Sequence, residues 1–177
     1  MGKNTKQNPE EILAEKIDGL QRRREWKQFV LGCLLMALTF YIIFHYVIGI
    51  AFVEGNSMEP VLGQGELVVF YRLEQNYGKG DIVLVRRGSL PPEVKRIAAC
   101  GGAGIDLNEE GLLVIDGETC LGTEPAEEGI VFPYDVPARS FFVMGDNRAG
   151  SEDSRKYGGV GEEEIAGRVF LHLGLTR

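Results

Sequence analysis

Twenty-five consecutive residues, Phe29 to Val53, "FVLGCLLMALTFYIIFHYVIGIAFV", contain no Asp, Glu, Lys or Arg. At ~1.5 Å per residue such a helix rises about 37 Å, enough to cross a hydrocarbon core of about 30 Å with some tilt. A cleavable signal peptide has an apolar core of roughly 7–15 residues and a small-x-small exit. This run is longer and ends "IAFVEG", so it reads as an uncleaved signal anchor. Upstream, "NPEEILAEKIDGL" (8–20) offers Asn8 as an N-cap, Pro9 at the first helical position and Ile12, Leu13, Ile17 and Leu20 near one face, the pattern of a short amphipathic helix. Downstream, short apolar runs alternate with Gly, Pro, Asn and Asp. Residues 66–73, 81–87, 93–99, 112–115, 140–146 and 168–173 read as strands, and "LVIDGETC" as a hairpin turning at Asp116-Gly117. The expected organisation is a segment 1–28, an anchor 29–53 and a β-rich domain 54–177. The fold class is mainly β, a compact antiparallel domain preceded by one N-terminal transmembrane helix.

Charge orients this arrangement. The first 28 residues carry seven Lys/Arg and five Asp/Glu, with Arg22, Arg23, Arg24 and Lys27 beside the apolar run; the rest of the chain carries 12 basic and 21 acidic residues. Positive-inside therefore predicts a cytoplasmic N-terminus, with Trp26 as an interface anchor and residues 54–177 outside. An acidic exported domain is a poor nucleic-acid binder. Cys33 lies in the apolar run, Cys100 and Cys120 lie beyond it, and neither they nor His45 and His172 have metal-ligand spacing. His45 reads as a neutral imidazole in the apolar segment. Neither a metal nor a cofactor is expected.

Three stretches carry candidate chemistry. "EGNSMEPVLGQGE" (54–66) presents Ser57 within turn residues just after the apolar run. A serine nucleophile needs a base, and His172, the one histidine beyond the run, has no Asp in an orienting position. Lysine is the other candidate, provided burial lowers its pKa, aided by positive charge if Arg96 or Arg155 is close. Lys95 in "PPEVKRIAAC" meets that need: period-2 logic puts its side chain on one face with Ile97 and Ala99, while Arg96 points the other way. The third stretch, "GDNRAGSEDSR" (145–155), is dense in Asp, Asn, Arg and Ser.

"GNSMEP" (55–60), "GDIVLV" (80–85) with "VKR" (94–96), and "GDNRAGSEDSR" follow in this order after one membrane anchor, and in this the chain resembles the bacterial type I signal peptidases, Ser/Lys endopeptidases that remove signal peptides from exported preproteins. The short domain is similar to the Gram-positive form. The resemblance covers residues from about 53 to 170. It implies Ser57 as nucleophile, Lys95 as general base and Ser151 as the hydroxyl that orients the Lys95 amine. It further implies Asp153 and Arg155 as a supporting ion pair, Asp146, Asn147 and Arg148 as residues that shape the loop, and the Ser57 N–H as chief oxyanion donor. Many relatives add a hydroxyl two residues before the nucleophile, where this chain has Gly55. Val53, Met58, Leu62 and Val94 would line shallow pockets for small side chains, as in an Ala-x-Ala junction. The implied partners are signal-peptide-bearing preproteins, the lipid bilayer and the secretion translocon, and the implied location is the plasma membrane. Self-cleaving repressors share the dyad on a β fold but carry a DNA-binding domain where this chain has an anchor.

Overall fold

In the computed structural model, residues 9–120, 123, 125 and 128–174 are described; Asn8, the expected N-cap, and the side chains of Ile12 and Ile17 lie outside the described residues. The chain forms two units, Met1–Phe44 and His45–Arg177.

The described part of the first unit is one helix, α1 (Pro9–Ile42), followed by a π turn, Ile43–Val47, that runs into the second unit. The sequence pattern separates a short helix from the anchor, but α1 runs through both. Residues 21–25, Gln-Arg-Arg-Arg-Glu, are good helix formers with no Gly or Pro to interrupt them. Among the described residues this is the one helix long and apolar enough to cross a membrane. The apolar run does not stay helical to Val53: Ile48–Phe52 form strand β1. Gly49 shows why the run changes state there, because a Cβ at that position would overlap the Phe70 ring on the neighbouring strand. The uncharged helical stretch is thus Phe29–Val47, which rises about 28 Å, close to the hydrocarbon thickness.

Among its described residues the second unit carries eleven strands: β1, β2 (Leu67–Tyr71), β3 (Ile82–Val85), β4 (Glu93–Cys100), β5 (Gly104–Leu107), β6 (Leu113–Ile115), β7 (Glu118–Thr119), β8 (Tyr134–Asp135), β9 (Ser140–Met144), β10 (Val160–Gly161) and β11 (Ile165–Leu173). Seven form one sheet in the order β1-β2-β11-β3-β4-β9-β10, and four form a smaller sheet, β7-β6-β5-β8; every pairing is antiparallel. A single helical turn, α2 (Ser154–Tyr157), precedes β10. The six expected strands are all present, and Asp116 and Gly117 take positive φ at the expected hairpin turn. Strands β5, β8 and β10 lie outside the expected runs: β8 and β10 are two-residue bridges that carry no period, and β5 is four residues that include a glycine and an aspartate.

Alternation along β2 buries Val68 and Phe70 beneath β1, where they pack with Val53, Met58, Leu62, Leu84 and Val94. A second cluster, Val83, Val85, Ile97, Phe141, Val143, Val160 and Ile165, lies along β3, β4 and β9. A third joins Ala99, Phe142 and Met144 to the smaller sheet. Cys33, Cys100 and Cys120 are free thiols.

Candidate active site

Strand β4 brings the lysine in. It lies between β3 and β9 at the centre of the larger sheet, with Lys95 opposite Val83. Both edges of β4 are paired and its Lys95 face is packed over, so Lys95 is only 2% exposed. Ile97 shares its face, as alternation predicts, and packs in the Val83 cluster. Ala99 does not. The register slips between Ile97 and Ala99, so that Ile97 faces Val143 and Ala99 faces Phe142, whose side chains lie on opposite sides of β9. The extra residue of this bulge, Ala98, turns Ala99 into the third cluster, and period-2 counting fails across it.

The loop after β9 brings the serines in. Gly145 is the pivot: a Cβ there would collide with the Ser57 carbonyl oxygen and with the Cβ and Oγ of Ser151, so only glycine lets both serine segments close on the strand end. The Asn147 N–H donates to the Ser57 carbonyl at 3.0 Å and its side-chain amide to the Asn56 carbonyl at 3.1 Å, tying the turn to the loop. Ser151 then meets the lysine, whose Nζ donates to Ser151 Oγ at 3.1 Å. Gly55, at φ +79°, makes the turn that presents Ser57.

A buried ion pair fastens the far end of the loop. Arg155 Nε and Nη2 donate to the two carboxylate oxygens of Asp153 at 2.8 and 2.9 Å, and both residues are buried. Asp153 also caps α2 through the Arg155 N–H and accepts the Gly145 N–H at 3.1 Å. Arg155 Nη2 reaches back to the Arg148 carbonyl at 2.7 Å. Asp146 makes a second fork, to Arg96 at 2.8 and 2.7 Å, which fixes Arg96 on the face of β4 opposite Lys95. Arg148 rests its guanidinium on the Met144 sulfur.

Burial holds the Lys95 amine below the usual lysine range, because desolvation penalises the charged form. Two carboxylates, Glu93 and Asp153, oppose that shift and Arg87 supports it. The sequence pattern offers Arg96 or Arg155 as the helping positive charge, but both are forked onto carboxylates, and the cation that acts is Arg87. Glu93 Oε2 lies 3.6 Å from Lys95 Nζ. Its position two residues before Lys95 on one strand was the sequence signal for this contact.

Ser57 opens on a cleft of about 190 Å³ lined by Phe52, Glu54, Pro91, Pro92, Glu93 and Val94. Of the four residues expected to line pockets, Val94 borders this cleft. Val53, Met58 and Leu62 are buried with it in one cluster, beneath the surface. Phe52, Glu54 and the Pro91-Pro92 pair carry no side-chain chemistry that a motif search selects. His172 lies elsewhere, its Nδ1 3.5 Å from Glu66 Oε2, and no group of metal-ligating side chains occurs among the described residues.

Residues 23–173 match the family described as signal peptidase, peptidase S26. The chain is 30% identical over 169 residues to signal peptidase I of Bacillus caldolyticus, covering 84% of this chain and 89% of that protein. It is 31% identical over 160 residues to signal peptidase I T of Bacillus subtilis (strain 168), covering 81% of each. It is also 30% identical over 135 residues to mitochondrial inner membrane protease subunit 1 of Mus musculus, covering 73% of this chain and 72% of that protein. With a match that spans most of its length and extends over the anchor, the serine turn, strand β4 and the loop after β9, the chain belongs to the signal peptidase family, peptidase S26.

Proposed function

We propose that this signal peptidase cleaves by a Ser57/Lys95 dyad. The observation that carries the reading is a lysine 2% exposed in the centre of a sheet, its amine donating to Ser151 and its pKa lowered by desolvation. A neutral amine whose hydrogen is spent on Ser151 keeps its lone pair for another hydroxyl. Ser57 Oγ attacks the scissile carbonyl carbon and gives its proton to Lys95 Nζ. The oxyanion of the tetrahedral intermediate is met by the Ser57 N–H, which is bonded to no other group among the described residues. As the C–N bond breaks, Lys95 returns the proton to the leaving nitrogen, and an ester to Ser57 is left. Water then attacks that ester with Lys95 again as base, freeing the acid and Ser57.

The small cleft supports a preference for small residues before the cut, of Ala-x-Ala type, because an aromatic side chain there overpacks. The exported orientation rests on Arg22, Arg23, Arg24 and Lys27, the basic residues of α1 that precede the apolar run. The outward face of β1, β2 and β11 supports a lipid contact: register puts Ile50 beside Val69 and Leu171, and Phe52 beside Leu67 and Leu173, and Ile50, Phe52, Leu171 and Leu173 are exposed. The proposed setting is the outer face of the plasma membrane, beside the translocon that delivers preproteins.

The test is cleavage of a preprotein with an Ala-x-Ala junction, the cut located by mass spectrometry. Ser57→Ala abolishes turnover in a folded protein. Lys95→Arg is as inactive as Lys95→Ala, since arginine keeps the charge and cannot lose a proton near neutrality. Wild-type activity falls as pH drops through the lowered Lys95 value, because the protonated amine accepts no proton. A folded Lys95→Arg protein with full activity overturns the dyad.

A further inference from the structure

Glu93 and Arg87 face each other across the β3–β4 hairpin, beside the buried lysine. Glu93 Oε2 lies 3.6 Å from Lys95 Nζ, and Oε1 lies 3.5 Å from Arg87 Nη2. The Arg87 guanidinium in turn sits 3.5 Å over the centre of the Tyr157 ring, which fixes it from the side of α2. Glu93 Oε2 is buried and has no hydrogen-bond partner, so its one close polar neighbour is the ammonium or amine of Lys95. One carboxylate thus lies between two cations, one that titrates and one that does not.

Resting on the Ser57/Lys95 reading, we propose that Glu93 is a positioning residue which, balanced by Arg87, sets the pH at which Lys95 becomes available as the base. A carboxylate at this distance favours the protonated amine and delays its use. Arg87 offsets that in two ways: it shares the carboxylate, and its own charge repels a second positive charge nearby. The groups facing Lys95 from the other elements are Ser151, which accepts its hydrogen bond, and Asp153, whose charge is forked onto Arg155. Glu152 is paired with Lys156, and Tyr157 is pushed towards its neutral form by burial. Glu93 differs from these in that its two oxygens are divided between Arg87 and Lys95 itself. The motif does not carry this device. It comes from the glutamate two residues before the lysine and the arginine two residues after β3.

The two substitutions move the same profile in opposite directions, which a merely structural role does not do. The measurement is kcat/KM against pH for the full chain in detergent with an Ala-x-Ala peptide, since this ratio reports the free enzyme. Glu93→Gln moves the acid limb to lower pH. About one unit below the wild-type midpoint, where the wild type keeps roughly a tenth of its plateau, Glu93→Gln keeps several-fold more of its own plateau. Arg87→Gln moves the limb to higher pH, and Arg87→Lys restores it towards wild type. Limbs that coincide with wild type, or that move in the same direction in Glu93→Gln and Arg87→Gln, overturn the proposal. If Glu93→Gln does not fold, Arg87→Gln decides alone: an upward shift supports the proposal, and no shift or a downward one overturns it. Lys95→Ala separates the two readings: if it cleaves, the dyad itself fails, whereas an inactive Lys95→Ala with unmoved limbs in the other variants removes Glu93 alone.

Discussion

Lys95 works against stability. Its amine titrates below the usual lysine value because burial disfavours the charge, so between that lowered value and the ordinary one near 10.5 the unfolded chain binds more protons than the folded one. Stability contributed at this position therefore rises with pH across that window. Lys95→Met, which fills similar volume without a charge, is expected to melt at a higher temperature than wild type near neutrality, with the gap narrowing as the pH rises; thermal melts across a pH series check this. If Lys95 is the base, as proposed, the same variant is expected not to cleave. Gly145 is the other decisive residue. Gly145→Ala puts a methyl group against the Ser57 carbonyl and Ser151, an overpacking that costs about 1–3 kcal/mol. Because both serine segments must shift, its turnover is expected to fall on the order of 100-fold, with KM far less affected, as steady-state kinetics would show.

At the scale of elements, the loop from β9 to α2 holds its shape through charge pairs rather than apolar packing. Asp153 joins the Gly145 N–H, the α2 N-terminus and the Arg155 guanidinium in one buried carboxylate. Asp153→Ala removes the carboxylate that neutralises the buried Arg155 guanidinium, which is expected to cost about 3–5 kcal/mol by chemical denaturation. Asp146→Ala breaks a pair that is partly open to water, so the expected loss is smaller, with Arg96 free to turn towards solvent. Strand β4 explains why the loop and the lysine meet. Its bulge at Ala98 lets one strand serve two clusters, Ile97 on one side and Ala99 on the other, while Lys95 stays on the side of Val83.

At the scale of the whole molecule, the change from helix to strand at Ile48 lengthens the chain that separates Ser57 from the helical part of the apolar run. Measured from Val53, the end of the apolar run, Ser57 is at most about 14 Å of extended chain away; measured from Val47, where the helical stretch ends, the ceiling is about 33 Å. The proposed closeness to the bilayer therefore rests less on chain length and more on the exposed apolar face of β1, β2 and β11. Replacing Phe52 and Leu171 by serine is expected to reduce processing of a membrane-inserted preprotein while sparing a short soluble peptide, which paired kinetic assays would separate. Protease added to right-side-out vesicles is expected to remove a tag after residue 174 and to spare one at the N-terminus. The reverse pattern would overturn the proposed orientation.

Sequence alone determined the helix, the β character of the second unit, six of its strands, the Asp116-Gly117 turn and the three stretches that meet at the site. These are legible because uncharged length, alternation and turn chemistry act between near neighbours in the chain. Tertiary structure decided where the apolar run stops being helix, because a helix and a strand of Ile, Gly, Ala and Phe look alike until Phe70 claims the space over Gly49. It also decided that Ala99 leaves the lysine's face, that Met58 and Leu62 lie under the cleft, and that Arg87, not Arg96 or Arg155, is the cation acting on Lys95. Each depends on which strand or loop lies opposite, a long-range pairing that no local period encodes.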